Sequence, residues 1–288
     1  GWDAAVIATP ADTHIPIAQR IAEAGIAPLI EKPLAVTEDG LAALQQTLEA
    51  QQLPCGVAYV YRAHPALREM RQALRDGQFG RPLQVGVVCG QHFPTYRPAY
   101  AQTYYADHAR GGGLIQDCLP HLLNAVEWLV GPATRVIADA AHCKLPNVAV
   151  EDTTHVLARH DEVMASYALN QHQAPNETSI TVIAERGTAR CEYHRHAWKW
   201  MTEPDAPWQD QRIDFATRDD WFTAQETAWL DVLAGKAEPL CDLADGWRTL
   251  RTTRAILDSV ASDAGWVTIP PSQTRSMPEG RDEGARQP

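Results

Sequence analysis

The sequence predicts an α/β fold in two parts. A short parallel sheet with covering helices comes first, and an α+β domain with a mostly antiparallel sheet follows. Three observations predict it. Residues 1–62 alternate continuous apolar runs with amphipathic segments, the pattern of parallel strands buried on both faces and joined by right-handed crossovers. From about residue 83 the chain changes to extended runs separated by tight turns, the pattern of adjacent hairpins. The 288 residues are 45% hydrophobic, enough for two domains with a buried core.

Each element follows from its residues. "AAVIA" (4–8) is the first strand, broken by Thr9 and Pro10. "DTHIPIAQRIAEAG" (12–25) is a helix capped by Asp12 or Thr13 and closed by Gly25. Its Ile15, Ala18 and Ala22 keep helical spacing. "APLI" (27–30) is the second strand; Thr37 then caps a helix with Leu41, Leu44 and Leu48 on one stripe. "CGVAYVY" (55–61) is the third strand, and residues 65–78 form a helix with Leu67, Met70 and Leu74 on one face. "LQVGVVCGQHF" (83–93) precedes a tyrosine-rich loop and a helix over about 113–130. Extended runs follow at 134–142, 152–160, 163–171, 178–185 and 187–194, with hairpin turns at 159–162 and 185–187. Two late helices span 221–234 and 243–263. The reading divides the chain into domains at 1–62 and 63–270, with a Pro/Gly/charge-rich, disordered tail at 271–288.

Composition excludes several function classes. The formal charge is −11 and no basic cluster stands out, so nucleic acid and anionic membrane surfaces are poor partners. No apolar run approaches the ~18 residues that span a bilayer. Six cysteines are scattered without C-x-x-C spacing, which reads as reduced thiols in a cytoplasmic protein. There is no Walker loop and no G-x-S-x-G elbow, so nucleotide-triphosphate and serine-hydrolase chemistry lack support.

Two motifs carry chemistry. "IEKPLA" (30–35) places Glu31, Lys32 and Pro33 at the end of a buried strand. Ligands of parallel sheets bind beyond the carboxyl ends of the strands, so these charges, with Thr9 and Pro10, belong at the rim of a crevice. "GGGLIQDCLPHLLNAVEWLVG" (111–131) sets Asp117 and His121 four residues apart, where a helix points both the same way. A carboxylate beside an imidazole raises its proton affinity and suits it to general-base work. Taken singly, each motif has a bland reading: a partly buried i,i+4 pair, and a surface lysine bridged to its neighbour.

Together, an E-K-P strand end followed about eighty residues later by a G-G-G-x-x-x-D-x-x-x-H helix resembles the Gfo/Idh/MocA family of NAD(P)-dependent oxidoreductases. "DAAVIATPADTH" and "EPLCDLADGWRTLRTTRAILDSVASDAGWVTIP" extend the resemblance to about residue 270. The parallel part is then a Rossmann-type sheet, and NAD or NADP is the implied cofactor. The resemblance implies hydride transfer from a secondary alcohol of a sugar, cyclitol or related polyol. His121 takes the hydroxyl proton, Asp117 holds the substrate and tunes His121, and Lys32 stabilises charge on the reacting oxygen. Thr9, Pro10, His14, Glu31 and Lys32 lie near the nicotinamide. Pro33 stops the strand and turns Lys32 into the cleft, with a cis Lys32–Pro33 bond expected. The loop 96–113 lies over the substrate, with Tyr104, Tyr105, His108 and Arg110 as hydroxyl contacts or as mobile surface residues. Arg62 reaches the cleft or forms a salt bridge at the domain junction. Association through the open face of the antiparallel sheet is also implied.

The pattern departs from the family at its start. The family opens with a strand, a G-x-G-x-x-G turn and a helix that hold the pyrophosphate, and no such turn is present. The sequence therefore reads as a truncated Rossmann-type sheet lacking ~70–80 residues, since a βαβ unit takes about 30 or more. The polypeptide is on this reading an inactive fragment of the enzyme. Two rival readings are a non-catalytic ligand-binding or regulatory homologue, and a metalloenzyme using Cys191, His194, His196 and His172.

Overall fold

The computed structural model describes residues 1–213 and 219–270; the expected disordered tail lies outside them. Two sheets organise these residues. The first has three parallel strands in the order β1 (Ala4–Ile7), β2 (Ala27–Ile30) and β3 (Gly56–Val57). Helices α1 (His14–Glu23) and α2 (Leu41–Gln51) cover one face. Ile15, Ala18 and Ala22 from α1 and Leu41, Leu44 and Leu48 from α2 share a core with Ile7, Ile30 and Val57, as their spacing predicts.

Local turn chemistry moves three boundaries. Neither Asp12 nor Thr13 caps α1 by its side chain; the Thr13 hydroxyl donates to the Pro10 carbonyl at 2.7 Å, and a 3-10 turn, Ala11–Thr13, leads into the helix. Thr37 does not cap α2. Its hydroxyl donates to Asp39 Oδ2 at 2.9 Å, and the helix starts only after Gly40, whose φ of +79° suits glycine. The third strand is shorter than expected. The Ala58 N–H still donates to the Ile30 carbonyl, but Tyr59 and Val60 then turn back onto Val57 and Ala58, and a 3-10 turn follows over Val60–Ala63.

The second sheet runs β11-β10-β9-β8-β4-β7-β6-β5-β12. In chain order these are β4 (Pro82–Gly90), β5 (Arg135–Ala141), β6 (Thr153–His160), β7 (Val163–Asn170), β8 (Glu177–Ala184), β9 (Gly187–Glu192), β10 (Ala197–Met201), β11 (Gln209–Arg212) and β12 (Val267–Thr268). Neighbours are antiparallel except β4 and β7. Both expected hairpin turns are present, between β6 and β7 and between β8 and β9. The remaining helices are α3 (Pro65–Arg75), α4 (Phe93–Tyr96), α5 (Leu114–Asp117), α6 (Leu119–Val130), α7 (Asp219–Leu233) and α8 (Leu243–Ala261). Alternation in the strands puts Val85, Val87, Val156, Tyr167 and Ile180 into one core with Leu122 and Val126 of α6 and Ile256 of α8. The opposite face leaves Val88, Leu157, Met164 and Ile183 exposed.

The boundary at residue 62 is not a clean division. Trp229 and Val232 of α7 pack on Ala27, Leu29 and Ala58, the second face of the parallel sheet. Cys241, Leu243 and Leu250 join the core under α1 and α2. Helices from the far end of the chain therefore complete the first layer and hold the two sheets in a fixed relation.

Candidate active site

The apolar, fully buried β2 ends at Ile30, and the cis Lys32–Pro33 peptide follows. The carbonyl of Pro33 lies 3.0 Å from His14 Nδ1, and that of Thr9 lies 2.8 Å from His14 Nε2. His14, 1% exposed, thus ties the ends of β1 and β2 together. From this turn Lys32 extends into the second domain. Its Nζ donates to Asp117 Oδ1 and to the Asp117 backbone carbonyl, each at 2.9 Å.

That carbonyl is available because the expected single helix over 113–130 is broken. Pro120 has no N–H to continue the helical ladder onto Gln116, and its ring crowds the preceding turn. The chain stops α5 at Asp117 and restarts α6 at Leu119. The N–H of His121 donates to Cys118 at 3.3 Å, so the Asp117 carbonyl is taken by Lys32 instead. The glycine run before α5 has an equally concrete cause. Gly112 donates to the Asp107 carbonyl, and a Cβ on it would lie 2.4 Å from the carbonyl of Tyr105. Only glycine lets the tyrosine loop fold this closely onto the helix start.

The Asp117 carboxylate, 2% exposed, accepts three donors. They are Lys32 on Oδ1, the Tyr104 hydroxyl on Oδ1 at 2.7 Å, and Arg97 Nη1 on Oδ2 at 3.1 Å. Burial alone would raise its pKa, but the cations of Lys32 and Arg97 outweigh burial and hold it well below the carboxylate range. Burial would likewise lower the pKa of Lys32, and the Asp117 charge overrides it and holds the ammonium above its ordinary value. The pair is therefore fully ionised at neutral pH.

His121 lies one turn beyond, its ring stacked on Tyr61 at 4.9 Å and 21°. Tyr61 stacks in turn on Tyr193 at 4.2 Å, and Tyr59 meets the imidazole edge-on at 6.2 Å. Lys32, Asp117, His121, Glu31, Arg97 and Tyr104 all line one cavity of about 590 Å³ between the two sheets. Amide side chains of Gln91, Asn170 and Asn176 line it as well.

Residues 1–59 match the profile of the oxidoreductase family with an NAD-binding Rossmann fold, and residues 67–190 match that of the GFO/IDH/MocA C-terminal domain. The chain belongs to the GFO/IDH/MocA family. A D-apiose dehydrogenase of Paraburkholderia graminis is 26% identical over 262 residues, covering 86% of this chain and 68% of that protein. A levoglucosan dehydrogenase in complex with NADH and levoglucosan superposes with a TM-score of 0.84 at 20% identity, covering 93% of this chain and 80% of the other. An inositol dehydrogenase homologue from Azotobacter vinelandii, complexed with NADH and myo-inositol, superposes at 0.77 and 19% identity, covering 92% and 78%.

In this GFO/IDH/MocA chain the structure gathers Glu31, Lys32, Tyr104, Asp117 and His121 on the cavity. Of the residues expected at the site, Arg62 takes the second of its two expected roles, the salt bridge at the domain junction, and His108, Tyr105 and His14 are turned elsewhere. Arg62, 1% exposed, is held in the domain junction by Asn124 Oδ1 at 2.7 Å, Asp245 Oδ2 at 2.5 Å and the Leu240 carbonyl. His108 faces Glu151 at 2.5 Å, and the Tyr105 hydroxyl donates to Gln171. His14 is enclosed by the two carbonyls already described, while Thr9 is exposed at the end of β1 next to Pro10. None of Thr9, Pro10, His14, Arg62, Tyr105, His108 and Arg110 lines the cavity. His194 and His196 do line it, but Cys191 is fully buried, and among the described residues no group of three or more His, Cys, Asp or Glu converges on a metal position. Arg97, Tyr61 and the amide wall were not foreseen. The need for a second cation beside a buried carboxylate, and polar residues ending otherwise apolar strands at Asn170 and Gln91, are the signals that point to them.

Proposed function

We propose that this chain carries the catalytic residues of an oxidoreductase that transfers a hydride between a nicotinamide dinucleotide, NAD or NADP, and a secondary alcohol of a sugar, cyclitol or related polyol. One observation carries the reading: Lys32 from the parallel sheet reaches Asp117 at 2.9 Å across the domain boundary, on a cavity that His121 also lines. The names of relatives acting on D-apiose, levoglucosan and myo-inositol support the polyol class.

The residues present fit the nicotinamide end of such a cofactor. Glu31 and Lys32 face the cavity from the carboxyl edge of the parallel sheet, where dinucleotides bind, and the amides of Gln91 and Asn170 offer both donors and acceptors. When bound, the nicotinamide supplies the hydride acceptor. His121 removes the hydroxyl proton as general base, its ring plane set by Tyr61. Lys32 donates to the reacting oxygen and stabilises the alkoxide character that develops there. Asp117 keeps Lys32 charged and oriented, and Arg97 and Tyr104 hold Asp117 in turn. We further propose that a second copy of the chain covers the face bearing Val88, Leu157, Met164 and Ile183, since a run of exposed apolar side chains on one sheet face marks an association surface.

The test is turnover with NAD and with NADP across a panel of sugars and cyclitols, followed by nicotinamide absorbance. Substrate-dependent reduction that falls about 10²–10⁴-fold in Lys32→Met and in His121→Ala is expected. Turnover unchanged in both variants would overturn the assignment.

A further inference from the structure

Two thiols of the cavity wall have no part in hydride transfer. Cys89 lies near the end of β4, and Cys118 occupies the break between α5 and α6. Both line the cavity, and their sulfurs are 3.9 Å apart. A disulfide needs about 2.05 Å, so closing the gap takes a movement of roughly 2 Å. The break at Cys118 makes that movement feasible, because the residue is not locked in the middle of a continuous helix. Cys89 Sγ also lies 3.4 Å from the Thr178 hydroxyl. The two thiols are not equivalent. The contact with Cys118 lowers the pKa of Cys89 against the opposing effect of burial, with Thr178 and Arg97 helping. The same contact, with burial, pushes Cys118 up. Cys89, with the Thr178 hydroxyl also in reach, is the thiol placed to react first, and Cys118 is the resolving partner.

We propose that Cys89 and Cys118 form an oxidisable dithiol inside the cavity, converted by hydrogen peroxide to an intramolecular disulfide. The Cys89 thiolate attacks one peroxide oxygen; an S–O bond forms, the O–O bond breaks, and the leaving hydroxide departs as water after taking a proton. Cys118 sulfur then attacks the sulfenic sulfur of Cys89; the S–S bond forms, the S–O bond breaks, and a second water leaves with the Cys118 proton. Two electrons pass from the sulfurs to the peroxide, and two waters are the only other products. Cys118 is covalently joined to Asp117, so drawing it toward β4 displaces the carboxylate that holds Lys32. This consequence for turnover rests on the function proposed above; formation of the bond does not.

The experiment uses the reduced full chain, treated with hydrogen peroxide, alkylated and mapped by peptide mass spectrometry. All six cysteines are free in the structure. The expected result is a fall from six alkylated thiols to four, a linked peptide pair containing positions 89 and 118, and reversal by dithiothreitol. Cys143→Ser, which removes an exposed thiol away from the cavity, retains the link. Cys118→Ser halts at a Cys89 sulfenic acid that dimedone traps. Peroxide consumption with positions 89 and 118 both still alkylated overturns the proposal, as does a Cys89 that dimedone never labels in Cys118→Ser. Failure of the hydride-transfer reading is read separately, as turnover of the reduced chain that is unchanged in Lys32→Met and His121→Ala.

Discussion

Asp117 gathers Lys32, Arg97 and Tyr104 on one buried carboxylate, so a change there is felt by three side chains at once. Asp117→Asn preserves the shape and removes the charge. Breaking a buried pair from one side costs about 3–5 kcal/mol, and the residual exposure of Lys32 places the expected loss at the lower end, ~3 kcal/mol by urea unfolding. The sign of its pH dependence follows from the depressed pKa of Asp117. Its stabilisation is present above the unfolded carboxylate value of about 3.9 and is lost as pH falls through the lower folded value. The wild type therefore outlasts Asp117→Asn by the full margin at neutral pH, and the two converge in strong acid. At this scale the sequence says least about partners. Arg62 forms the junction salt bridge that was one of its two expected roles, but its partner Asp245, 183 residues away, is not legible from sequence. His108 and Tyr105 sit in the right loop but face Glu151 and Gln171. Residue type predicts what a side chain can do; only packing selects which neighbour it does it with.

The elements that shape the site are the broken helix and the tyrosine loop. Pro120→Ala restores an N–H to the ladder and lets α5 run into α6. His121 N–H then competes with Lys32 for the Asp117 carbonyl, so turnover is expected to fall about tenfold by misplacement of the ammonium, with no fall in urea midpoint. A lower midpoint with unchanged turnover would contradict this account of the break. The loop is latched by His108 on Glu151. The hydrogen bond to Glu151 raises the pKa of His108, with burial opposing and the charges of Glu151 and Asp107 adding to the rise. A raised folded pKa stabilises below the unfolded value of about 6.5, and the benefit disappears as pH climbs through the folded value. Proteolysis of the loop should therefore be slower in wild type than in His108→Gln near pH 6 and equal in the two at high pH. The proline was visible in the sequence, yet the period of the apolar residues on both sides of it suggested one helix. Thr37 is the same kind of case: its residue type suits a cap, but Gly40 sets where the backbone enters α2.

At the scale of the whole molecule, the parallel sheet is covered on its second face by α7, and Cys241, Leu243 and Leu250 finish the core beside α1 and α2. Trp229→Ala removes the central side chain of that contact, and a loss of about 3–5 kcal/mol is expected from cavity formation, read by denaturant unfolding. The open face of the large sheet carries the second prediction. Light scattering should find the wild type self-associated and the double variant Leu157→Glu, Met164→Glu monomeric, because two charges cannot be buried there without partners. A monomeric wild type would remove the proposed interface. Among the described residues no helix is long and apolar enough to cross a membrane.

By itself the sequence determined the succession of strands and helices and the two charged motifs, because periodicity, turn residues and strand ends are local properties of the chain. It also carried enough of the E-K-P and D-x-x-x-H pattern to name the family. Tertiary structure alone decided that Lys32 would meet Asp117, 85 residues away, that Arg97 would share that carboxylate, that Arg62 would take the junction salt bridge with Asp245, and that His14 would bridge the carbonyls of Thr9 and Pro33. A buried charge takes whichever opposite charge or dipole the packed chain brings within hydrogen-bond reach, and that choice is made only once the two sheets and their helices are assembled.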